Sequence, residues 1–253
     1  MLNVEEKAGW LKVALNRPEV RNAFDDSLIG SLTALFADLD PAIRAVLVTG
    51  EGPVFCAGGD LNWMRKAAGY TEEQNAQDAL KLAGLFESIA TSRAVVVTAV
   101  HGAAFGGGCG LVAAADVAVA AEGCKFSFSE VRLGLVPATI SPFVIPKIGA
   151  GHARALFTTG EVFDSEKALR IGLVHDVCPL EELESQAKKK IADVLRNGPE
   201  SVALCKKLAA EAPLGKEESS RLLARARAGA EGKEGVAAFL EKRPASFVQE
   251  VVD

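Results

Sequence analysis

The stretch Val100-His101-Gly102-Ala103-Ala104-Phe105-Gly106-Gly107-Gly108-Cys109-Gly110 sets three consecutive glycines, and another at Gly110, between two strongly apolar segments. An ordered glycine costs roughly 0.5–1 kcal/mol of backbone entropy relative to alanine, so bare backbone must serve a purpose here. Three purposes fit such a loop. A phosphate cradle would need the lysine of G-x-x-x-x-G-K-[ST], or a G-x-G-x-x-G followed by an acidic residue, and the chain has neither. A tight turn with close helix packing needs only small residues. An oxyanion hole needs backbone N–H groups at a helix start, aimed at developing negative charge, and a second donor from elsewhere. A matching loop, Phe55-Cys56-Ala57-Gly58-Gly59-Asp60-Leu61, also follows an apolar run. Two such loops can each give one N–H to a single carbonyl oxygen, and the pair is far more specific than either loop alone.

Other chemistry finds less support. His101, His152 and His175 are too dispersed for a metal site, and no Ser/His/Asp arrangement is legible. Cys56, Cys109, Cys124, Cys178 and Cys205 are odd in number and never spaced as CxxC, which disfavours both zinc and a disulfide framework. Cys56 and Cys109 flank the two loops in apolar settings that disfavour a thiolate. No metal or redox cofactor is expected. The run Lys188-Lys189-Lys190 reads as a solvated helix face.

The elements that must position these loops follow from hydropathy. Segments 10–15, 43–49, 94–100 and 116–120 have strand patterns, and 25–39 and 71–90 carry apolar residues at helical spacing, the latter with Thr71 as N-cap. Alternation of this kind predicts an α/β core with mainly parallel strands and ligand sites in the loops at their carboxyl ends. Beyond about Leu180 the strand signals stop, and 179–197, 199–212, 216–230 and 232–241 read as helices. Such a tail is either a cap on the same subunit or an oligomerisation element. Residues 1–196 are expected to form the core and 197–253 a helical oligomerisation region.

With 253 residues, 49% hydrophobic, 24% charged and a net charge of −5, the chain reads as soluble and globular, with neither nucleic acid nor an anionic membrane as its main partner. A small anionic ligand remains open. The first residues lack a signal-peptide pattern, and no apolar run free of turn residues reaches membrane-spanning length, so a cytoplasmic protein is expected.

The blocks "NRPEVRNAF" (16–24), "VFCAGGDL" (54–61), "HGAAFGGGCGLVAAADVAVA" (101–120), "SFSEVRLGLVP" (127–137) and "GVAAFLEKRPASF" (235–247) resemble, in order, the crotonase or enoyl-CoA hydratase/isomerase family over nearly the whole chain. That resemblance implies a spiral of repeated ββα units, a C-terminal helical trimerisation region, and a homotrimer or homohexamer. It implies an acyl-CoA thioester as substrate, coenzyme A entering only as part of it, with Gly59 and Gly107 giving the oxyanion N–H groups. Asn22 and Ala23 match positions beside the adenine and pantetheine, and Ala57, Asp60 and Leu61 the loop lining the thioester. Asp60 reads equally well as a loop cap. Phe239 and Lys242 match residues that reach the nucleotide end from a neighbouring subunit's tail; by themselves they read as tail packing and a surface charge.

Hydratases of the family commonly use two glutamates, and this sequence departs from that pattern. The second position is Glu130, in Phe126-Ser127-Phe128-Ser129-Glu130-Val131, while the first is Gly110. The chain is then a one-glutamate hydratase or dehydratase, an enoyl-CoA isomerase, or a non-catalytic CoA- or RNA-binding relative. Syn addition places the α proton and β hydroxyl within reach of one carboxylate, and Phe126, Phe128, Val131 and Leu133 are expected to raise the pKa of Glu130 by desolvation. Gly110 is expected to belong to the acyl pocket, and a second carboxylate restored there would act only if the space opposite Glu130 admits a water. "FCAGGDLNWM" with "SFSEVRLGLVPATISPFVIPKIG" is most similar to bacterial methylglutaconyl-CoA hydratases, which interconvert 3-methylglutaconyl-CoA and 3-hydroxy-3-methylglutaryl-CoA in leucine catabolism or branched acyl-CoA synthesis. A substrate with a distal carboxylate needs a cation, and Arg65 or Lys66 is the candidate.

Overall fold

Strand, short strand and helix repeat along the chain and wind it in one direction. The computed structural model, which describes residues 1–211 and 213–251, opens on a hairpin of β1 (Leu2–Lys7) and β2 (Trp10–Leu15). There follow α1 (Asp26–Ala37), β3 (Ala45–Gly50), α2 (Leu61–Ala67), α3 (Glu72–Thr91), β4 (Val95–Val100), β5 (Ala103–Phe105) and α4 (Gly107–Ala114). The second half runs β6 (Val117–Ala121), β7 (Lys125–Ser127), α5 (Ser141–Thr159), β8 (Phe163–Asp164), α6 (Ser165–Arg170) and β9 (Asp176–Cys178). It ends in α7 (Leu183–Leu195), α8 (Pro199–Glu211), α9 (Lys216–Ala228) and α10 (Ala230–Glu241).

The main sheet has the order β1-β2-β3-β4-β6-β9, antiparallel at the hairpin and parallel thereafter. Because this order follows the chain, the sheet has no reversal of strand order at which a doubly wound fold would hold its ligand. The loops instead enter a second, shorter layer. There Phe24 bridges Gly59, Cys56 bridges Ala104, β5 runs parallel to β7, and β7 pairs antiparallel with β8. Each turn of the spiral therefore supplies a sheet strand, a short strand or bridge, and a helix.

Strands β3 and β4 are apolar but for Thr49 and Thr98 because both faces of the sheet are covered. Val46, Val48, Val96 and Val100 join the core under the helices α1, α3 and α4, while Ala45, Leu47, Val95 and Val97 meet Trp10, Ile191 and Leu195 on the other face. Burial of each such valine or leucine contributes about 1.5–3 kcal/mol. Helix α7 thus belongs to the core. Helices α8, α9 and α10 pack on one another, tied back by Lys206, whose Nζ reaches Asp116 at 2.8 Å, and by Arg44, which donates to the carbonyls of Asn197 and Phe247.

Expected boundaries shift by one to three residues where caps decide them. The Asp25 carboxylate accepts from Leu28 N–H and starts α1, and a capping box of Thr71 and Gln74 starts α3. Strand β1 lacks an apolar signal because four of its six residues face solvent at the sheet edge. Strands β5, β7, β8 and β9, two or three residues each, are too short to show a period.

Candidate active site

Strand β3 delivers the chain to the first glycine loop, and β4 with β5 delivers it to the second. Cys56 N–H donates to Ala103 O at 3.1 Å and Phe105 N–H to Cys56 O at 3.0 Å, which sews the loops side by side. A Cβ on Gly108 would lie 2.5 Å from Cys56 O, and one on Gly58 would lie 3.0 Å from Phe105 O. Side chains there would push the loops apart. Gly58 (φ +94) and Gly106 (φ +49) also hold left-handed backbone that glycine adopts without strain.

Gly59 and Gly107 are half-buried between buried neighbours, and neither N–H meets a protein acceptor among the described residues. Gly107 is the first residue of α4, whose N-cap Gly106 has no side chain to cover the helix end. The positive end of the helix dipole is therefore bare. Phe24 links the two donors. Its N–H and C=O pair with Gly58 O at 2.7 Å and Asp60 N at 2.8 Å, on either side of Gly59. Its ring lies where a Gly107 Cβ would come within 2.9 Å.

Glu130 comes to this end of α4 because β7 pairs with β5 and runs into the 3-10 helix Ser129–Leu133. Its Oε1 lies 3.2 Å from where a Gly106 Cβ would stand. Its Oε2 is buried and has no hydrogen-bond partner among the described residues. Burial raises its pKa above the ordinary glutamate range, with its own backbone N–H offsetting part of the effect. The source of that burial differs in part from expectation: Phe126 and Phe128 are fully buried, but Val131 and Leu133 face outward, 39% and 62% exposed. Arg132 makes no ion pair with Glu130 among the described residues. A carboxylate whose proton affinity is raised by burial, next to N–H groups that favour an enolate, can move a proton to and from carbon beside a thioester.

The side chains of Asn22 and Asp60 hold the first loop together, Asp60 in the capping role that its sequence position also allowed. Asn22 is fully buried; its Nδ2 donates to Glu51, Val54 and Phe55 carbonyls at 2.8–3.1 Å, and its Oδ1 accepts from Arg17 N–H at 2.8 Å. Asp60 caps α2 through Asn62 N–H at 2.7 Å and pairs with Arg17 at 3.1 Å. Burial alone would raise its pKa; the backbone N–H groups of Asn62 and Trp63 and the Arg17 charge overcome that and lower it. Arg17 also pairs with Asp25 at 2.9 Å and donates to Ala23 O at 2.6 Å, so one guanidinium joins three parts of the site. The sequence signal for it was the block "NRPEVRNAF" itself.

Gly110 leaves no room for a side chain: a Cβ there would stand 2.5 Å from Ile140 Cγ2 and 2.6 Å from Phe86 Cζ. Phe86 stacks edge-on to Phe24 at 6.2 Å and tilts against Phe143 at 6.0 Å, so an aromatic cluster presses directly on the α4 backbone. The glycine is there for close packing, and Phe86 and Ile140 are the wall residues that sequence reading missed.

Ala57 is half-buried in the first loop, Ala23 is buried behind it, and Leu61 opens α2 with 75% of its surface exposed. Arg65 and Lys66 lie on exposed turns of α2, Arg65 bonded to Asn62 at 2.8 Å and Lys66 paired with Asp26 at 3.3 Å. Phe239, 81% exposed, and Lys242 lie on α10 and its C-cap, which packs on α8 and α9; within one chain they do not join the other site residues. His101 Nε2 contacts Gly52 O at 2.8 Å, a structural bond. Burial pushes the Cys56 thiol up to about 12, and Cys109 is raised for the same reason, so both are inert packing residues. Among the described residues no group of His, Cys, Asp and Glu gathers to hold a metal ion, and no helix is long and apolar enough to cross a membrane.

The family model for enoyl-CoA hydratase/isomerase matches residues 5–250. The chain is similar to the crotonyl-CoA hydratase of Syntrophomonas wolfei, 34% identical over 260 residues that cover 98% of this chain and 97% of that one. Among solved structures it resembles Pseudomonas aeruginosa AtuE (TM-score 0.94, 36% identity, covering 98% of this chain and 99% of that one). It also resembles an enoyl-CoA hydratase from Shewanella pealeana (TM-score 0.93, 36% identity, covering 97% of this chain and 95% of that one).

Proposed function

The chain belongs to the enoyl-CoA hydratase/isomerase family, and on that premise we propose that it interconverts 3-methylglutaconyl-CoA and 3-hydroxy-3-methylglutaryl-CoA with Glu130 as its one proton carrier. The thioester oxygen sits between the N–H groups of Gly59 and Gly107. In the dehydration direction the Glu130 carboxylate takes the α proton, and the electron pair moves into the thioester as an enolate held by the two N–H groups. The protonated Glu130 then gives the same proton to the β hydroxyl, which leaves as water while the enolate electrons form the double bond. Hydration is the reverse. Coenzyme A enters only as part of the substrate.

The observation that carries this reading is the buried, unpartnered Oε2 of Glu130 beside the bare start of α4. The apolar wall of Phe86 and Ile140 supports one-carboxylate chemistry, because it fills the direction from which a second carboxylate at position 110 would act. An apolar wall also suits a branched acyl chain. The distal carboxylate of that chain is proposed to draw Arg65 or Lys66 from its contact with Asn62 or Asp26. The proposed assembly is a homotrimer or homohexamer, supported by the exposed Val236, Phe239 and Leu240 of α10, with Phe239 and Lys242 serving a neighbour's coenzyme A.

Purified protein incubated with 3-hydroxy-3-methylglutaryl-CoA should generate enoyl-thioester absorbance, and with crotonyl-CoA should consume it more slowly. In labelled water the label should enter the hydroxyl. Double-bond migration without label uptake would replace hydration by isomerisation, and inertness toward both thioesters would remove the catalytic reading.

A further inference from the structure

Helix α4 is buried from Gly108 to Ala114, so its last carbonyls have no water to turn to. Lys147, on α5, supplies them with donors. Its Nζ lies 3.1 Å from Val112 O and 2.6 Å from Ala115 O, at the negative end of the same helix whose positive end presents Gly107 N–H. A cation at a helix C-terminus favours the dipole, and about eight residues at 1.5 Å rise separate the two ends by only about 12 Å. An ammonium inside the fold adds positive potential along that axis, weakly screened by solvent.

We propose that Lys147 is a positioning residue for the reaction: its charged ammonium anchors the C-terminal end of α4 and so fixes, and electrostatically strengthens, the Gly107 donor at the other end. This rests on Gly107 being an oxyanion donor. The groups facing Lys147 do not neutralise it. Asp116, just beyond α4, is committed to Lys206 at 2.8 Å and to Val96 N–H at 2.8 Å. His175, ahead of β9, accepts Ala118 N–H on Nδ1 at 2.9 Å and is thereby the neutral imidazole. Burial first, and the Lys147 charge second, lower its pKa. Asp176 beside it pairs with Lys190 at 2.7 Å.

Burial lowers the Lys147 pKa to about 8, with Asp116 offsetting part of the shift. The ordinary value is 10.5, so between about 8 and 10.5 the unfolded chain binds more protons than the folded one. The contribution of Lys147 to stability therefore rises with pH across that window. Its support of the oxyanion is lost as pH rises through about 8, where Lys147 of the folded protein gives up its proton. A merely structural lysine and a positioning lysine thus move activity and stability differently.

The test uses the intact protein and a dienoyl-CoA, whose absorption moves to the red when the thioester carbonyl is polarised. Wild type should show a red shift near pH 7 that shrinks as pH rises through about 8, with kcat falling roughly five- to thirtyfold while KM changes little and Lys147 contributes no fall in Tm. Any titration of Glu130, whose pKa burial raises, is shared by the Lys147→Met variant, which separates the two groups. Lys147→Met should show the reduced shift and reduced kcat already near pH 7, with no further fall on the alkaline side, and Lys147→Arg should restore both. A wild-type shift that stays flat to about pH 10 overturns the proposal, and that measurement decides even if the methionine variant does not fold. A variant that folds with the wild-type shift overturns it equally. Absence of any red shift in wild type at any pH would instead remove Gly59 and Gly107 as oxyanion donors.

Discussion

One buried carboxylate adjoins each glycine loop, and the two have opposite fates. Asp60, next to Gly59, accepts from two backbone N–H groups and pairs with Arg17, which together hold its pKa down. Glu130, against Gly106, has an oxygen with no partner, and burial holds its pKa up. The first is scaffold because both of its oxygens are engaged; the second keeps its proton chemistry because one of its oxygens has no partner among the described residues. Their linkage signs are opposite as well. The Asp60 contribution to stability is present above the ordinary aspartate pKa of 3.8 and is lost as pH falls through the lowered folded value. The Glu130 contribution is present below its ordinary value of 4.5 and is lost as pH rises through the raised folded value.

The sharpest break of this contrast is Glu130→Gln. It should lower kcat by roughly 10²–10⁴-fold with thioester binding changed only a few-fold, since the amide keeps size and polarity but cannot accept the α proton. At neutral pH it should also raise Tm, because an unpartnered buried charge is removed; a lower Tm would mean that Glu130 has partners that stabilise it. In wild type, the acid limb of kcat/KM should lie above the ordinary carboxylate range and vanish with this substitution.

Gly107→Pro removes the donor while leaving Glu130 in place, and should cost about 2.7–4 kcal/mol of transition-state stabilisation, read from kcat/KM in protein whose circular dichroism is unchanged. Near-normal turnover would exclude that N–H.

Gly110→Ala tests the wall. The added methyl meets Ile140 and Phe86 inside 3 Å, so denaturant titration should show a loss of about 1–3 kcal/mol. Adding Ile140→Ala should recover part of it. Gly110→Glu should misfold rather than gain hydratase activity, and a soluble, more active glutamate variant would show that the wall opens.

The smallest effect is expected at the scaffold carboxylate. Asp60→Ala removes the α2 cap and should cost about 0.5–2 kcal/mol in stability, with kcat close to wild type in the protein that remains folded. A loss of turnover as large as that of Glu130→Gln would erase the distinction between the two.

The long elements were legible because each carries a period or an unbroken apolar run: β3 and β4 as doubly covered strands, α3 with its capping box. The pairing of the two glycine loops was legible too, since each follows such a strand. What spacing left undecided was the work of the polar side chains at those loops. Asn22 and Asp60 are polar residues beside a proposed site, and nothing in their spacing shows that carbonyls of residues 51–55 and the guanidinium of Arg17 have taken up their hydrogen bonds. Val131 and Leu133 were placed around Glu130 by adjacency, but a 3-10 turn points them outward.

The sequence by itself determined an α/β core with mainly parallel strands, because covered strands and amphipathic helices are specified by local hydropathy, and it determined where bare backbone would occur; the spiral was implied by the family blocks. Only the tertiary structure decided what each glycine is for. Gly108 lets two loops touch, Gly110 receives Phe86 and Ile140, and Gly107 leaves an N–H free. Phe86 and Ile140 meet Gly110 from positions 24 residues before and 30 after it, and Lys147 reaches the end of α4 from 32 residues beyond Ala115. A glycine carries no side chain to record its neighbours, so its role is set by whatever the fold brings against it.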